Sequence, residues 1–221
     1  YENDSSDKTN LILNNFMKNK NGKYLTEINN KKVFKRDTNI ERIKNISNCR
    51  NKLLNMRPFK GDWTIMIDAD IKFDDNLIDR FVSKNLPDDL VALTCNGKDF
   101  QKCRNHNNCN HYYDVLSLIY SNKNSGFLYF MKSGFKCCPF QEKEDINKWN
   151  NNNFVETISS FGGMAFYKTD ILNNPKINYS LGFHNDSKYS CEHIGFNKLL
   201  GNFGKIYSDP TFIVFNSENS K

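Results

Sequence analysis

The chain has 221 residues, enough for one domain with a sizeable core. Its hydrophobic fraction is only 38%, but 18 Phe and 10 Tyr supply large apolar surfaces for that core. The formal net charge of +6 comes from Lys interspersed with acidic residues, with no basic stripe threaded by aromatics, which argues against nucleic-acid binding and suits an anionic small ligand.

Tyr1 to Thr9, rich in Asp, Ser and Asn, reads as a strand end running into a helix. Ser5, Ser6 or Asp7 is the expected cap, and Leu11, Ile12, Leu13 and Phe16 supply the apolar residues that follow. The chain does not begin with Met and shows no signal-like start, so it reads as a trimmed or processed piece of something longer. No run comes near the ~20 apolar residues that span a bilayer. Asn21-Gly22 predicts a turn, followed by a short strand around Tyr24 to Ile28. Ile43, Ile46, Cys49, Leu53 and Leu54 recur at helical spacing and predict a helix over Ile40 to Met56, with Arg42, Arg50 and Asn51 beside its apolar face.

Trp63 to Ile67 is a continuous apolar run, the pattern of a strand covered on both faces, and it stops abruptly at Asp68-Ala69-Asp70. A helix over Asp75 to Ser83, a buried strand over Leu90 to Cys95 and a polar surface loop over Lys98 to Asn110 are expected next. Asp114 either caps a helix over Val115 to Tyr120 or touches an acceptor. Phe127 to Asn153 shows no clear period and reads as a lid or acceptor loop, in which Trp149 either stacks on a sugar or pins the loop. Phe161 to Tyr167 reads as a glycine turn entering a strand, Thr169 to Leu172 as a short helix, and His184 and Asp186 as exposed loop residues. A helix over Glu192 to Leu200 and strands within Lys205 to Phe215 complete the chain. Strands alternating with helices predict a single α/β domain, 1–221, an αβα sandwich with a mostly parallel central sheet.

Seven cysteines is an odd number. Cys103-x5-Cys109 with His106 and His111 nearby lacks the short pairing of a zinc knuckle, and Cys137-Cys138 is adjacent. Free thiols in a reducing compartment, or one local disulfide, fit better. Sequons at Asn3, Asn45, Asn178 and Asn185 are unsurprising in so Asn-rich a chain.

The strongest chemical signal is Ile65-Met66-Ile67-Asp68-Ala69-Asp70. Alternate side chains on an extended segment point the same way, so both carboxylates can face one spot. Two anions at the edge of an apolar sheet are costly without a compensating cation. Hard oxygen ligands favour Mn²⁺ or Mg²⁺, which can also bridge to a diphosphate.

Several segments carry a family resemblance. Tyr1-Glu2-Asn3-Asp4-Ser5-Ser6-Asp7-Lys8-Thr9 is similar to the acidic segment that follows the second strand of GT-A glycosyltransferases. Cys49-Arg50-Asn51-Lys52-Leu53-Leu54 resembles the Arg-Asn helix that precedes their D-x-D strand, and Phe161-Gly162-Gly163-Met164-Ala165-Phe166 resembles their acceptor-side segment. Tyr113-Asp114, Phe161-Gly162-Gly163 and Cys191-Glu192-His193 together are most similar to a group from large DNA viruses and, more distantly, to fungal capsule mannosyltransferases. The resemblance runs from Glu2 to about Asn216, and it implies that the chain opens at the family's second strand, the first being expected either to have been removed or to lie outside the given sequence.

The resemblance implies a metal-dependent transfer of a sugar from a nucleoside diphosphate sugar, with UDP the commonest nucleotide, to a hydroxyl of a glycan or glycoprotein. Glu2 is implied to contact the nucleoside, Asp68 the ribose or metal, and Asp70 the metal directly; Arg50 would steady this cluster or a phosphate. Glu192 or His193 would deprotonate the acceptor, Glu192 being preferred, and the other, such as His193, would hold metal or acceptor. Gly162, Gly163 and Asp114 would line the acceptor side. One base and no evident nucleophile imply inversion. The expected place of action is the cytoplasm, the host's if the chain is viral, with a secretory lumen open. Two rivals differ in class. A sugar-nucleotide nucleotidyltransferase would want a Gly-rich basic loop near the N-terminus, and none is visible. A non-catalytic carbohydrate-binding relative would have lost one of Asp68, Asp70 or Glu192, and all three are present.

Overall fold

The computed structural model describes residues 1–28, 39–99, 111–133, 139–184 and 190–216. In chain order the elements begin with β1 (Glu2–Asn3), α1 (Thr9–Met17), β2 (Thr26–Glu27), α2 (Ile40–Leu54), β3 (Trp63–Ile67), β4 (Ile71–Phe73), α3 (Leu77–Val82) and β5 (Leu90–Asp99). They continue with β6 (His111–Tyr112), a 3₁₀ turn (Val115–Ser117), β7 (Ile119–Tyr120), α4 (Gly126–Ser133), α5 (Lys143–Asn150) and β8 (Val155–Ser159). The last are β9 (Met164–Lys168), α6 (Thr169–Leu172), β10 (Gly182–Phe183), β11 (Ser190–Cys191), α7 (Glu192–Leu200) and β12 (Lys205–Asn216).

The chain is a mixed α/β protein. Among the described residues the main sheet runs β3-β9-β5-β12-β8-β7, with β4 also on β12 and β6 on β5. Only the β5–β12 ladder in it is parallel; β3–β9, β5–β9, β12–β8, β12–β4, β7–β8 and β5–β6 are antiparallel. The mostly parallel sheet expected from the sequence is therefore not what forms. Strands β3, β5 and β12 do run in one direction, but β9 inserts between β3 and β5 against both. Alternation of strands and helices along the chain cannot reveal such an insertion, because β9 is far in sequence from both neighbours. β1 and β2 form a small parallel pair of their own.

Helices cover both faces of the sheet. On one face Leu54 of α2, Leu172 of α6, and Phe196 and Leu200 of α7 pack on Ala92, Ala165, Tyr167 and Ile206. On the other, Leu77 and Phe81 of α3 pack on Leu90, Leu93, Phe166 and Phe212. There the Phe81 ring stacks on Phe166 at 3.9 Å, and Trp63 meets Phe81 edge-on at 5.0 Å. Each such ring contributes roughly 1.5–3 kcal/mol by leaving water.

Helix α2 shows how sequence becomes placement. Asn39 caps it, its Oδ1 accepting the amides of Glu41 and Arg42 at 2.9 and 3.3 Å. Ile43, Ser47 and Leu54 form its buried stripe, and Arg50 lies on that stripe one helical repeat after Ile43. Arg50 is thereby aimed at the sheet rather than at solvent. Next to it Asn51 clamps Tyr179, donating to its carbonyl at 2.8 Å and accepting its amide at 2.7 Å.

Three local expectations change. Strand β3 is an end strand, and Ile65 and Ile67 are exposed on one of its faces rather than covered on both. Phe127 to Asn153 is not wholly irregular, since it contains most of α4 and all of α5, and Trp149 is buried against Phe140 and Tyr112, pinning α5 rather than offering a platform to a sugar. His184, expected in solvent, is buried, with Nε2 2.8 Å from the Leu116 carbonyl. Asp186, Cys103, His106, Cys109, Cys137 and Cys138 lie outside the described residues; among those described, Cys49, Cys95 and Cys191 are free thiols. No described helix is long and apolar enough to cross a membrane.

Candidate active site at the end of strand β3

The site is built where β3 stops. The Asp68 amide donates to the Gly163 carbonyl at 2.9 Å, continuing the β3–β9 pairing by one residue, and Asp68 then turns the chain through Ala69 and Asp70 into β4. The two carboxylates are thus held by strands on either side of a tight turn. Asp70 Oδ2 accepts a long hydrogen bond of 3.4 Å from Asn216 Nδ2 at the end of β12.

Arg50 joins this turn to α7. Its Nη2 donates to Asp68 Oδ1 at 2.8 Å and its Nε to Glu192 Oε1 at 3.2 Å. The guanidinium lies 5.2 Å from the Phe161 ring centre and 5.6 Å from that of Tyr179, so aromatic walls fix the fork that binds both acids. Glu192 opens α7, where unpaired amides favour an anion.

Asp114 completes the cluster. It takes the left-handed conformation, φ 65°, and Oδ2 is buried with no hydrogen-bond partner. It does not cap the following turn with its side chain; instead Ser117 donates its amide and hydroxyl to the Asp114 carbonyl at 3.0 and 2.8 Å. Burial pushes the Asp114 carboxyl well above the ordinary range, and the charges of Asp68 and Glu192 push it further. Burial likewise raises Asp68; Arg50 opposes this, and Asp70 and Glu192 add to it. Left-handed backbone at a non-glycine residue is a strained arrangement of the kind that clusters at functional sites.

Gly162 and Gly163 give the cluster its floor. Both have positive φ, 66° and 84°. A Cβ on Gly162 would stand 2.1 Å from the Cys95 carbonyl oxygen, and one on Gly163 would meet Ile71 Cδ1 at 2.5 Å and Tyr113 Cε1 at 3.1 Å. Gly162→Ala is therefore expected to cost about 3 kcal/mol or more in urea denaturation, through a backbone clash and strain together. A near-wild-type midpoint would show that the turn can relax.

His193 lies beneath rather than within the cluster. Its ring stacks on Phe161 at 3.9 Å and meets Tyr179 edge-on at 5.6 Å, and both ring nitrogens are buried without hydrogen bonds. Burial, aided by Arg50, holds the imidazole well below its usual pKa and thus neutral. Its nearest carboxylate is that of Glu192, 3.6 Å away. Asp68, Asp70 and His193 do not come together as a three-ligand set, and no three His, Cys, Asp or Glu side chains among the described residues do so. Glu2 is also occupied elsewhere, accepting the Ser5 amide at 2.9 Å and the Thr26 hydroxyl at 2.9 Å, within the small β1–β2 sheet.

The acids around the turn are of the oxygen-donor type that a hard divalent cation prefers, but among the described residues no three of them stand close enough to form a metal group. Asp68, Asp70, Asp114 and Glu192 offer only carboxyl oxygens, and the orphaned Asp114 oxygen belongs to a carboxyl that burial and the neighbouring acids hold toward its neutral form, which Arg50 only partly offsets. A hollow of about 390 Å³ lined by Gly61, Asp62, Trp63, Lys168 and Asp170 lies at the opposite end of β3 and takes no part in this site.

A direct test of the electrostatics follows. Asp114→Asn keeps the shape and tolerates φ > 0 equally well. Wild type should lose stability as pH rises through the raised folded pKa of Asp114, whereas below its unfolded value of 3.8 that contribution is fully present. The variant lacks this loss, so at neutral pH it should be more stable by about 1–3 kcal/mol, with the gain vanishing on acidification. Urea melts across pH would show it; a pH-independent difference would contradict it.

Of the residues singled out in the sequence, the structure brings Arg50 to Asp68 and Glu192, and pairs Asp68 with Gly163. Sequence reasoning missed the forked Arg50 contact, the left-handed Asp114 and the His184 bond that ties β10 to the 3₁₀ turn after Asp114. The signal for Arg50 was present in its position on the Ile43–Ser47–Leu54 stripe. No family model matches the chain, and no curated protein matches it.

Proposed function

We propose that the chain is a metal-dependent glycosyltransferase of the GT-A type, moving a sugar from a nucleoside diphosphate sugar to a hydroxyl of a glycan or glycoprotein. The observation that carries the reading is the Arg50 fork, which binds Asp68 at the end of β3 and Glu192 at the start of α7 and so brings the turn Asp68-Ala69-Asp70 and the Cys191-Glu192-His193 segment to one place. Segments 124 residues apart, each picked out for its own chemistry, meet at one guanidinium.

Asp68 and Asp70 would hold Mn²⁺ or Mg²⁺. When bound, the cation supplies charge neutralisation for the leaving diphosphate. The protein's own groups do the rest. Arg50 keeps Asp68 and Glu192 in fixed orientations. Glu192 accepts the proton of the acceptor hydroxyl, and His193 backs the Phe161 wall. Gly162 and Gly163, lacking side chains, let a sugar approach the main chain closely. Asp114, close to two other acids and raised toward its neutral form, would hydrogen-bond an acceptor or donor hydroxyl. A single base supports inversion at the anomeric carbon.

The test is turnover. The protein incubated with a panel of sugar nucleotides, Mn²⁺ and candidate glycans should release nucleoside diphosphate from one donor, with UDP-sugars the first expectation. Release from none, by protein shown to be folded, would remove the proposal.

A further inference from the structure

Positive charge is unevenly distributed along the chain. Residues 1–60 hold 14 Lys and Arg against 6 Asp and Glu, while the remainder holds 17 against 19. The excess therefore belongs to the segment that carries β1, α1, β2 and α2. In that same segment α1 buries none of its residues. Leu11, Ile12 and Phe16 are 58, 63 and 60% exposed.

These side chains and the lysines share one side of α1. At 100° per residue Ile12 and Phe16 are neighbours one turn apart, Lys8 falls between Leu11 and Ile12, and Lys18 lies beside Leu11. Lys8 and Lys18 are exposed, and the Lys20 ammonium sits 5.2 Å from the Phe16 ring centre. No acid occurs from Lys8 to Lys20. The helix is fixed on its inner side, where Leu13 and Met17 are half-buried and Asn10 bonds Thr26 at 3.1 Å and Tyr24 at 2.5 Å.

Three large apolar side chains set among lysines on a fixed helix match what an interfacial helix needs. Apolar groups enter the acyl boundary, and ammonium heads stay at the depth of the phosphates. The geometry points to the outer face of α1 as a docking surface for an anionic bilayer, seated by Leu11, Ile12 and Phe16 and oriented by Lys8, Lys18 and Lys20. A neutral protein groove would have no use for the lysines, and an acidic one would be matched by charge alone without the exposed apolar residues.

The experiment is flotation of the full chain with vesicles of phosphatidylcholine alone and of phosphatidylcholine mixed with phosphatidylserine. Binding is expected only to the mixed vesicles and should weaken with salt. Ile12→Asn with Phe16→Asn should reduce it about tenfold or more. Lys8→Gln and Lys18→Gln should each reduce it about fivefold. Because α1 contributes no buried side chain, circular dichroism and the melting temperature should stay unchanged, and Leu11→Asn serves as a second, exposed probe. Failure to bind mixed vesicles, binding that ignores all of these substitutions, or a dimer in solution that depends on Ile12 and Phe16 would overturn the proposal.

Discussion

Glu192→Gln is expected to lower turnover by about 10²–10⁴-fold, the usual contribution of a positioned proton-transfer group, while donor affinity changes little. The amide keeps the shape of the carboxylate and can still face Arg50, so any loss reports on proton transfer rather than on collapse of the site. His193→Ala should affect turnover less. Its ring is buried under Phe161 and makes no hydrogen bond, so its removal leaves a cavity and lowers stability instead. Steady-state kinetics on both variants, alongside their melting temperatures, separate the two roles. If Glu192→Gln turns over near the wild-type rate and His193→Ala does not, His193 is the base and the assignment is reversed.

Arg50→Ala should be the most disruptive change at the cluster. It leaves Asp68 and Glu192, both largely buried, facing each other and Asp114 without their partner. Removing one member of a buried pair typically costs about 3–5 kcal/mol. Arg50→Lys should recover only part of that, because a single ammonium cannot bridge two carboxylates as the planar fork does. The deficit has a defined pH dependence. Without the guanidinium the Asp68 carboxyl, already raised by burial, is raised further, so stability is lost as pH rises through its folded pKa and returns as the carboxyl protonates. A deficit in the urea midpoint that grows toward neutral pH supports this; a pH-independent deficit would mean that Arg50 acts through packing on Phe161 and Tyr179 alone.

The residues show why parts of this molecule could be read from sequence and others could not. Helix α7 begins and ends where the spacing of its apolar residues and the acid at its start place it, and the turn Phe161-Gly162-Gly163 announces itself because two adjacent glycines before an apolar run have few other uses. Helix α2 was legible from its period, although the Asn39 cap was overlooked. Sheet order was not legible. Strand β9 enters between β3 and β5 through pairs such as Ile65 with Phe166 and Leu93 with Phe166, far apart in the chain, and no local pattern encodes that. The exposure of Ile65 and Ile67 follows from the same cause, since an apolar run reads the same whether its strand is central or at an edge. At the site, residue types were readable but not their pairing. That Asp68 leaves the strand as a candidate ligand follows from the run before it. That Arg50 also holds Glu192, and that Asp114 is strained and unpaired, depends on how α2, α7 and the 3₁₀ turn converge.

The central claim is that the turn Asp68-Ala69-Asp70 holds a cation that in turn holds a nucleoside diphosphate. Calorimetric titration of UDP into the protein, with and without Mn²⁺, and into Asp70→Ala tests it most directly. Asp70 lies in the turn and among the described residues its side chain accepts one long bond, of 3.4 Å from Asn216, so the variant should fold normally. The account predicts Mn²⁺-dependent binding to wild type and a loss of about 100-fold or more in the variant, at least as large as the loss caused by disturbing an outer-shell partner of a metal. Equal affinity in Asp70→Ala, or binding to wild type that is indifferent to Mn²⁺, would contradict it.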